Sequence, residues 1–451
     1  METNFDVLIV GMGPAGLSAC SRLGVTNLRV AIVDSGKAVY DRDRQDFNDA
    51  TKGHGGAGLF SDGKFSFFPS ASELWSLSGD RLRTAYEWTC SVLQDAGLDT
   101  PPFPQNIDQY SGHEPGVDEW ILKAYPSDYL SLDSRLKFVN GLVASSKATI
   151  FSQTNIHSIS YDRVADLFRV EAESTSEAVS RQLTARRVIM ATGRFGPLQY
   201  SLKQLATDFT FKRLEVGFRI QQHSDKAFFR GMKQLDPKLR IKQADGSVEW
   251  RTFCVCRRGE TCLTETGGLW TVSGRSDCPP TGLSNCGFNC RITDSEIAEE
   301  TLKPLLESLG NTQVHYKLPV SDVLKGDPQA LAQLDRIYGP KLRELMIKGL
   351  TSLANSFEDL ASDIDAELIG PTLEGIGWYP KVDTALRLLN APVWVAGDAC
   401  GLFRGIVAAM ISGHYAATGV LGDLNRELSP ISCDVCDGLA CKCVLNQLVT
   451  A

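Results

Sequence analysis

The segment GMGPAG at residues 11–16 constrains the fold more than any other stretch of this sequence. It directly follows FDVLIV at residues 5–10, an apolar run typical of a buried strand, and it precedes LSACSRL, which is typical of a helix. Strand, G-x-G-x-x-G and helix in this order form the fingerprint of a dinucleotide-binding unit. We therefore expect Gly11 to make the tight turn, Gly13 to admit a pyrophosphate close to the backbone, and Gly16 to let helix and strand pack closely.

An acidic residue stands where such a unit needs one. The apolar segment 28–33 predicts a second strand that ends at Asp34, about 20 residues beyond the glycines, where a carboxylate binds a ribose hydroxyl. The helix that starts around Pro14 and Ala15 would direct its N–H groups and its positive dipole end at the phosphates. A glycine turn formed by chance would lack this setting, so the sequence predicts a bound dinucleotide.

A similar strand with a glycine–aspartate end lies near the C-terminus. PVWVAGD is apolar up to Gly397 and Asp398, and a glycine-rich turn then leads to the helical pattern IVAAMISGHYAA, which begins around Gly405 and Ile406. Another strand, RVIMATG, ends in Ala-Thr-Gly and follows two β-rich segments. Its last two residues, Thr192 and Gly193, are further candidates for cofactor contact.

The order of these pieces resembles the glutathione-reductase-like FAD superfamily, the flavoproteins with two dinucleotide-binding domains. The resemblance implies that Asp398 holds the ribityl–phosphate part of FAD. It also implies that the helix N-terminus at Gly405 and Ile406 points at the flavin pyrimidine ring. Reduced flavin carries negative charge near N1 and O2, and a helix N-terminus stabilises an anion there.

The stretch GHGGAGLFSDGKFSFF, residues 53–68, is unusually rich in glycine for a globular chain. In this superfamily the segment after the ribose-binding acid runs beneath the flavin, where a bare backbone could form an anion-binding nest. A flexible surface loop without a ligand is the alternative. The mixture of apolar and charged residues is unlike a Gly/Ser linker and favours flavin contact. The predicted contacts are Gly55, Gly56, Ala57, Gly58 and Ser61.

GGAGLFSDGK also resembles the GGAG-x-FSDGKL stretch of a poorly characterised family of FAD-dependent dehydrogenases. The pieces YPSD, ATGRFG, EVGFR, RTFCVC and RGIV fit the same family, and together they span residues 5–422. The sequence departs from the family around residues 270–290 and at the C-terminus. The resemblance implies FAD and a redox reaction, and it implies no particular substrate.

These motifs predict an α/β fold with a Rossmann-like FAD-binding domain, a discontinuous βαβ unit in a three-layer sandwich, and an α+β substrate domain. We expect the FAD-binding domain to comprise residues 1–70, 131–204 and 366–428, with a helical insertion at 71–130. Residues 205–365 would form the substrate domain, and 429–451 a cysteine-rich tail. A second G-x-G-x-x-G is absent from the sequence, so any NAD(P)H would bind transiently at the flavin.

Composition excludes some other classes of protein. The formal net charge of -8 argues against a nucleic-acid surface, and no apolar run is long enough for a membrane span. The N-terminus lacks a basic region and enters a strand pattern at once, so we expect no signal peptide and a cytoplasmic location. The expected partner is a small organic substrate, and the sequence gives no prediction of oligomeric state.

The 13 cysteines do not indicate a disulfide framework, because their number is odd and the expected location is reducing. Cys254 and Cys256 would share one face of a strand, too far apart for an unstrained disulfide. In the tail, CDVCDGLACKC matches no usual paired zinc spacing. The tail could be inert, redox-active or metal-binding, and we predict no metal site.

Flavin chemistry needs a cation or hydrogen-bond donor near N1 and O2, and often a positioned acid or base. Lys64 and Arg404 lie in the motifs expected to contact flavin. Arg251 could hold a substrate carboxylate bidentately, and His54 and Arg219 are further candidates. Each could instead be an ordinary surface ion pair.

The sequence thus predicts an FAD-dependent oxidoreductase that moves a hydride to or from a small organic substrate. One alternative is an FAD-dependent monooxygenase that uses transient NAD(P)H and oxygen. Another is a flavin-bound regulatory or binding protein whose cysteine-rich tail recruits a partner.

Overall fold

The structure is a computed structural model, and it describes residues 3–77, 79–107, 114–276 and 278–424. The chain forms a mixed α/β structure with two large sheets, as the sequence predicts. The predicted cysteine-rich tail, 429–451, lies outside the described residues. Within the described ranges, no helix combines the length and the apolar character needed to cross a bilayer.

The strands and helices that flank the predicted cofactor motifs begin and end close to the residues expected from the sequence. The helices are α1 Pro14–Leu23, α2 Gly79–Asp95, α3 Leu132–Ala144, α4 Tyr200–Leu205, α5 Ser295–Leu309, α6 Val320–Lys325, α7 Pro328–Ser356, α8 Glu358–Ala361 and α9 Ile406–Asp423. The strands are β1 Asn4–Val10, β2 Val30–Val33, β3 Lys64–Ser66, β4 Ile121–Lys123, β5 Ser127–Tyr129, β6 Thr149–Phe151, β7 Thr154–Asp162, β8 Leu167–Ser174, β9 Val179–Met190, β10 Phe209–His223, β11 Lys238–Lys242, β12 Val248–Cys256, β13 Glu260–Thr266, β14 Leu269–Arg275, β15 Leu283–Ile292, β16 Tyr316–Pro319, β17 Glu367–Pro380 and β18 Val393–Val395.

The first sheet contains the dinucleotide-binding pattern. Its strands run in the order β6-β2-β1-β9-β8-β7, with β18 paired to β9. The pairs among β6, β2, β1, β9 and β18 are parallel, whereas β7, β8 and β9 form an antiparallel meander. Every residue of β1 after Asn4 and every residue of β2 is buried, because both faces of a parallel sheet are covered. Their carboxyl ends lead to Gly11, Asp34, Ala191 and Ala396, so the predicted cofactor motifs meet at one edge.

Helices α1 and α9 pack against each other beside this sheet. Their contact is close: a Cβ atom on Gly413 would stand 1.9 Å from the carbonyl oxygen of Ala15. Ser18 also donates from its hydroxyl to the Met410 carbonyl, at 2.5 Å. These contacts fix the two helix N-termini relative to each other.

The second sheet is antiparallel, in the order β16-β17-β10-β15-β12-β11-β4. Alternate residues of β10, including Val216, Phe218 and Ile220, belong to a buried apolar cluster with side chains of α5 and α7. The intervening residues Glu215 and Arg219 are polar and fully buried, at 0% and 1% exposure. Because successive strand residues point to opposite faces, the sheet has one apolar face and one buried polar face.

Candidate functional site

The three motif glycines differ in what their surroundings allow. A Cβ atom on Gly11 would stand 2.4 Å from the Ala191 carbonyl oxygen, and one on Gly16 would stand 1.8 Å from the Gly11 carbonyl oxygen. Gly11 and Gly16 are therefore required by packing of the protein itself. A Cβ atom on Gly13 would meet only the Gly56 Cα, at 3.9 Å. Packing within the described protein therefore does not require glycine at position 13. A ligand that approaches this turn closely would explain why the residue is glycine.

Asp34 joins the glycine turn to the glycine-rich loop. Its carboxylate accepts hydrogen bonds from the backbone N–H groups of Met12 at 2.7 Å, Gly36 at 2.8 Å and Gly53 at 3.0 Å. These bonds fix the end of β2 against both segments. Contact of the same carboxylate with a ribose hydroxyl stays a prediction.

The glycine-rich loop runs from the α1 N-terminus to the α9 N-terminus. The Gly55 N–H donates to the Met12 carbonyl at 2.9 Å, and a Cβ atom on Gly56 would stand 3.0 Å from the Gly13 Cα. Further along, a Cβ atom on Gly58 would stand 3.1 Å from Ile406 Cγ1. The loop needs its glycines because its backbone packs directly on both helix termini.

The residue that holds this loop, Arg42, was not predicted from the sequence. The buried guanidinium of Arg42 donates to the carbonyl oxygens of Asp49, His54 and Gly56, at 2.6, 2.5 and 3.0 Å. Burial lowers its pKa to about 10, which leaves the group charged at neutral pH. No motif marks Arg42, because the bonds run to backbone oxygens and carry no side-chain pattern.

Both helix N-termini at this edge lack a side-chain cap. Gly13 occupies the N-cap position of α1 and Gly405 that of α9, and glycine has no side chain to accept hydrogen bonds from the first-turn N–H groups. A small apolar cavity of about 20 Å³ lies between them, lined by residues that include Pro14, Gly58 and Ile406. Uncapped N-termini present N–H donors and positive dipole ends, which suit phosphate and an electron-rich ring.

Asp398 carries an oxygen without a partner. Its Oδ2 atom accepts from Arg404 Nε at 3.1 Å, whereas Oδ1 is buried with no hydrogen-bond partner among the described residues. The hydroxyl of Thr192, at the end of the β9 strand motif, is also buried without one. An unpaired buried carboxylate oxygen costs free energy, and ligand hydroxyl groups would satisfy it. Together with the uncapped helices, this donor and acceptor set fits FAD.

Arg404 connects the first sheet to the polar face of the second. It forms an ion pair and a short hydrogen bond with Glu215 on β10, and it also donates to the Glu374 carbonyl on β17. Glu215 further contacts Arg251 Nη2 and Arg291 Nε, both at 2.6 Å. Arg251 is therefore an internal partner of Glu215, in addition to any contact with substrate.

The electrostatics of this arginine–glutamate cluster follow from burial and partner number. Burial opposes ionisation of Glu215, but the surrounding arginines outweigh it and hold the pKa of this carboxyl well below its usual range. Burial and the neighbouring Arg291 lower the pKa of Arg251 to about 9. The cluster is thus a buried ion-pair network, in which the single Glu215 carboxylate pairs with several guanidinium groups.

Lys64 lies in a second ionic cluster. Burial opposes the charge on Lys64, but Asp236 at 3.0 Å and Asp62 at 2.9 Å raise its pKa well above the usual value. Its amine also donates to the Val255 carbonyl at 2.5 Å. Lys64 therefore links the glycine-rich loop to β12, and contact with flavin stays a prediction.

Cys254 and Cys256 are both free, as expected, but they do not lie on a regular strand as the sequence predicts. β12 has a register irregularity between Phe253 and Cys256, and Cys254 has a left-handed φ of 47°. This bulge brings both Sγ atoms and a carboxylate oxygen of Asp62 within 4.8 Å of one another. The regular two-residue repeat of a strand does not hold at a bulge.

Arg219 and His54 lie in different surroundings. Arg219 is fully buried and donates to Asn285 Oδ1 and to the Cys254 carbonyl, both at 2.6 Å. His54 Nε2 lies 2.8 Å from Ser152 Oγ, on the Asp34 side of the loop, and burial lowers its pKa. The structure therefore groups Arg404 with Arg251 and Lys64 with Arg219, and it places His54 apart from both.

No protein-family model matches this chain, and no curated protein matches it. Solved structures that align with most of the chain include a flavoprotein/dehydrogenase from Cytophaga hutchinsonii, at 13% identity and TM-score 0.43 over 94% of this chain and 80% of that one. Another is a geranylgeranyl bacteriochlorophyll reductase-like protein from Thermoplasma acidophilum, at 12% identity and TM-score 0.43 over 94% of this chain and 79% of that one. A third is the myxobacterial chondrochloren halogenase, a variant of FAD-dependent halogenases, at 11% identity and TM-score 0.39 over 94% of this chain and 76% of that one. Similarity at this level assigns no function to this chain.

Proposed function

We propose that this protein is an FAD-dependent oxidoreductase that transfers a hydride to or from a small organic substrate. The observation that carries the proposal is the buried, unpartnered Asp398 Oδ1, which lies at the same sheet edge as the two uncapped helices and has no hydrogen-bond partner among the described residues. A buried carboxylate oxygen and free N–H donors are what the hydroxyl and phosphate groups of FAD require.

Each motif has a distinct role in this proposal. The α1 N-terminus around Gly13 binds the pyrophosphate, and Asp34 binds the adenosine ribose. Asp398 and Thr192 accept or donate hydrogen bonds along the ribityl chain. The α9 N-terminus at Ile406 stabilises negative charge on the pyrimidine side of the flavin. Bound FAD would supply the two-electron carrier of the reaction.

The polar face of the second sheet is the proposed substrate side. The amide nitrogens Nδ2 of Asn285 and Asn289 on β15 are buried and have no hydrogen-bond partner among the described residues. Both could donate to polar atoms of a substrate. Arg404 and Glu215 hold this face against the proposed flavin side, so substrate and cofactor would be positioned by one rigid connection.

Anaerobic mixing of the flavin-loaded protein with NADPH, and separately with NADH, tests the direction of electron flow. Rapid bleaching of the flavin absorbance by either would make a nicotinamide the electron source. Admitting oxygen with candidate substrates would then separate a reductase from a monooxygenase, since only the latter couples oxygen uptake to a hydroxylated product. Absence of bleaching by both would favour an oxidase or dehydrogenase that is reduced by its organic substrate. A protein that binds no flavin after reconstitution would contradict the proposal.

The binding-protein alternative has its own test. Deleting residues 429–451 should leave turnover unchanged if the protein is an oxidoreductase with an accessory tail. Loss of partner capture with no turnover in either form would favour a flavin-bound regulatory protein.

A further inference from the structure

The bulge in β12 brings two cysteines together beside ionised groups. Cys254 is half-buried and Cys256 is fully buried, and neither is in a disulfide. Their Sγ atoms and one oxygen of Asp62 lie within 4.8 Å of one another. This separation is larger than a sulfur–sulfur bond of about 2.05 Å but within reach of a modest side-chain rearrangement.

The two thiols have different neighbours. The Cys254 thiol donates to Asp62 Oδ2 at 2.9 Å, so this carboxylate is in place to receive its proton as the sulfur attacks. Cys256, burial and Asp62 together raise the pKa of Cys254 well above its ordinary value, so the attack requires this transfer. The Cys256 sulfur lies 3.7 Å from Arg219 Nη2, a buried cation that stabilises a thiolate. The neighbouring Cys254 side chain, followed by Arg219, lowers the pKa of Cys256, whose thiol donates to the Cys254 carbonyl at 3.6 Å. The more exposed cysteine thus has a proton acceptor, and the buried one has a stabilising cation.

The same three ligand atoms could also suggest a metal site, but their neighbours argue against one. Lys64 Nζ is 2.9 Å from Asp62 Oδ2, and Arg219 already contacts the Cys256 sulfur. A divalent cation would have to displace or lie beside both of these buried positive charges. A thiolate paired with Arg219 is electrostatically compatible with the observed arrangement, and a metal is not.

We propose that Cys254 and Cys256 form a redox-active dithiol that exchanges with an external low-molecular-weight disulfide. Cys254 loses its proton to Asp62, and its sulfur attacks the external disulfide, forming a mixed disulfide and releasing one thiolate. The Cys256 thiolate then attacks the Cys254 sulfur, closes the intramolecular disulfide and releases the second thiolate. The protein dithiol is oxidised by two electrons, and the external disulfide is reduced to two thiols.

This site does not depend on the proposed flavin function, although Lys64 connects the two. Closing the disulfide removes the Cys254 S–H donor from Asp62, which is also an ion-pair partner of Lys64. Lys64 begins β3 directly after the glycine-rich loop. The redox state of the cysteines would therefore change the charge environment next to that loop.

The test is incubation of the full-length protein with oxidised glutathione, followed by mass spectrometry and peptide mapping. The wild type should lose the mass of two hydrogen atoms with the new bond between Cys254 and Cys256, and dithiothreitol should reverse the change. Cys256→Ser should instead accumulate a glutathione adduct on Cys254, and Cys254→Ser should form neither product at these positions. Cys262→Ser, which alters another half-buried cysteine, should behave like the wild type.

Two outcomes would overturn the proposal. One is a wild-type protein in which both thiols stay reduced, or pair with other cysteines, at glutathione ratios that oxidise an ordinary dithiol. The other is stoichiometric zinc in the purified protein that disappears in Cys254→Ser. If a serine variant does not fold, peptide mapping of the wild type alone still decides between these outcomes.

Discussion

Arg404 Nε lies 3.1 Å from Asp398 Oδ2, and Arg194 Nε lies 3.8 Å from the same oxygen, whereas the other carboxylate oxygen is buried and unpartnered among the described residues. Arg404 is held in turn by Glu215 on the second sheet. One side of Asp398 is therefore fixed by the protein, and the other side is available to a ligand.

Asp398→Ala should weaken FAD binding about tenfold to a hundredfold, because a hydrogen bond to a charged group contributes about 1.5–3 kcal/mol. The measurement is the dissociation constant from flavin fluorescence during reconstitution. Asp365→Ala is the matched control. Asp365 is exposed, and among the described residues its carboxylate forms an ion pair only with Lys226. Equal FAD affinity in the two variants would show that Asp398 does not contact the cofactor.

Gly56→Ala should weaken both the loop and FAD binding. Gly56 has a φ of 56°, and its new Cβ atom would stand 3.0 Å from the Gly13 Cα. The left-handed conformation alone costs about 1–2 kcal/mol with a side chain present. Gly97→Ala serves as control, because Gly97 has a φ of 93° but no described atom lies within 4 Å of the position that its Cβ would take. Chemical denaturation should show lower stability in both variants, whereas flavin content should fall only in Gly56→Ala.

Glu215→Gln should strongly destabilise the fold. The carboxylate is fully buried and contacts Arg251, Arg291 and Arg404, whose charges would lose their shared partner. Breaking a buried ion pair in this way costs about 3–5 kcal/mol. Glu300→Gln removes an exposed partner of Lys341 and should cost less than about 1 kcal/mol. A thermal unfolding midpoint for Glu215→Gln close to that of Glu300→Gln would contradict the central role of this cluster.

Lys238 should make stability depend on pH. Burial, followed by the nearby Arg251, lowers its pKa to about 7, compared with about 10.4 in an unfolded chain. Between these values the unfolded chain holds a proton that the folded chain has released, so the free energy of unfolding should rise with pH. Below about pH 7 both states hold the proton, and the cost of the buried charge is present in full.

Lys238→Met removes this titration. The variant should be more stable than the wild type near pH 6, by up to about 4 kcal/mol, and the difference should shrink by about 2–3 kcal/mol toward pH 9. Denaturant unfolding at several pH values measures it, with the exposed Lys303→Met as control. A wild-type stability that falls relative to Lys238→Met as the pH rises would have the opposite sign and would refute the assignment.

The sequence predicts the parts of this structure that depend on local pattern. The strand, glycine turn and helix at residues 5–23 form as expected because close packing demands Gly11 and Gly16. The Glu215 cluster was not predicted, because its arginines come from β12, β15 and the turn before α9, which are distant along the chain. Glu215 did carry a signal, because it is a charged residue that lies between the apolar residues Leu214 and Val216. The bulge at Cys254 overrode the two-residue repeat, which no composition rule anticipates.

The most direct test of the account is the flavin content of Gly13→Val. A Cβ atom at this position meets only the Gly56 Cα at 3.9 Å, and the φ of -69° suits any residue, so neither contacts at Cβ nor the backbone conformation excludes a side chain there. We predict one FAD per reconstituted wild-type chain and almost none in Gly13→Val, with circular dichroism and unfolding midpoint little altered. A folded Gly13→Val protein that carries a full complement of FAD would contradict the placement of the cofactor across Gly13 and Asp398.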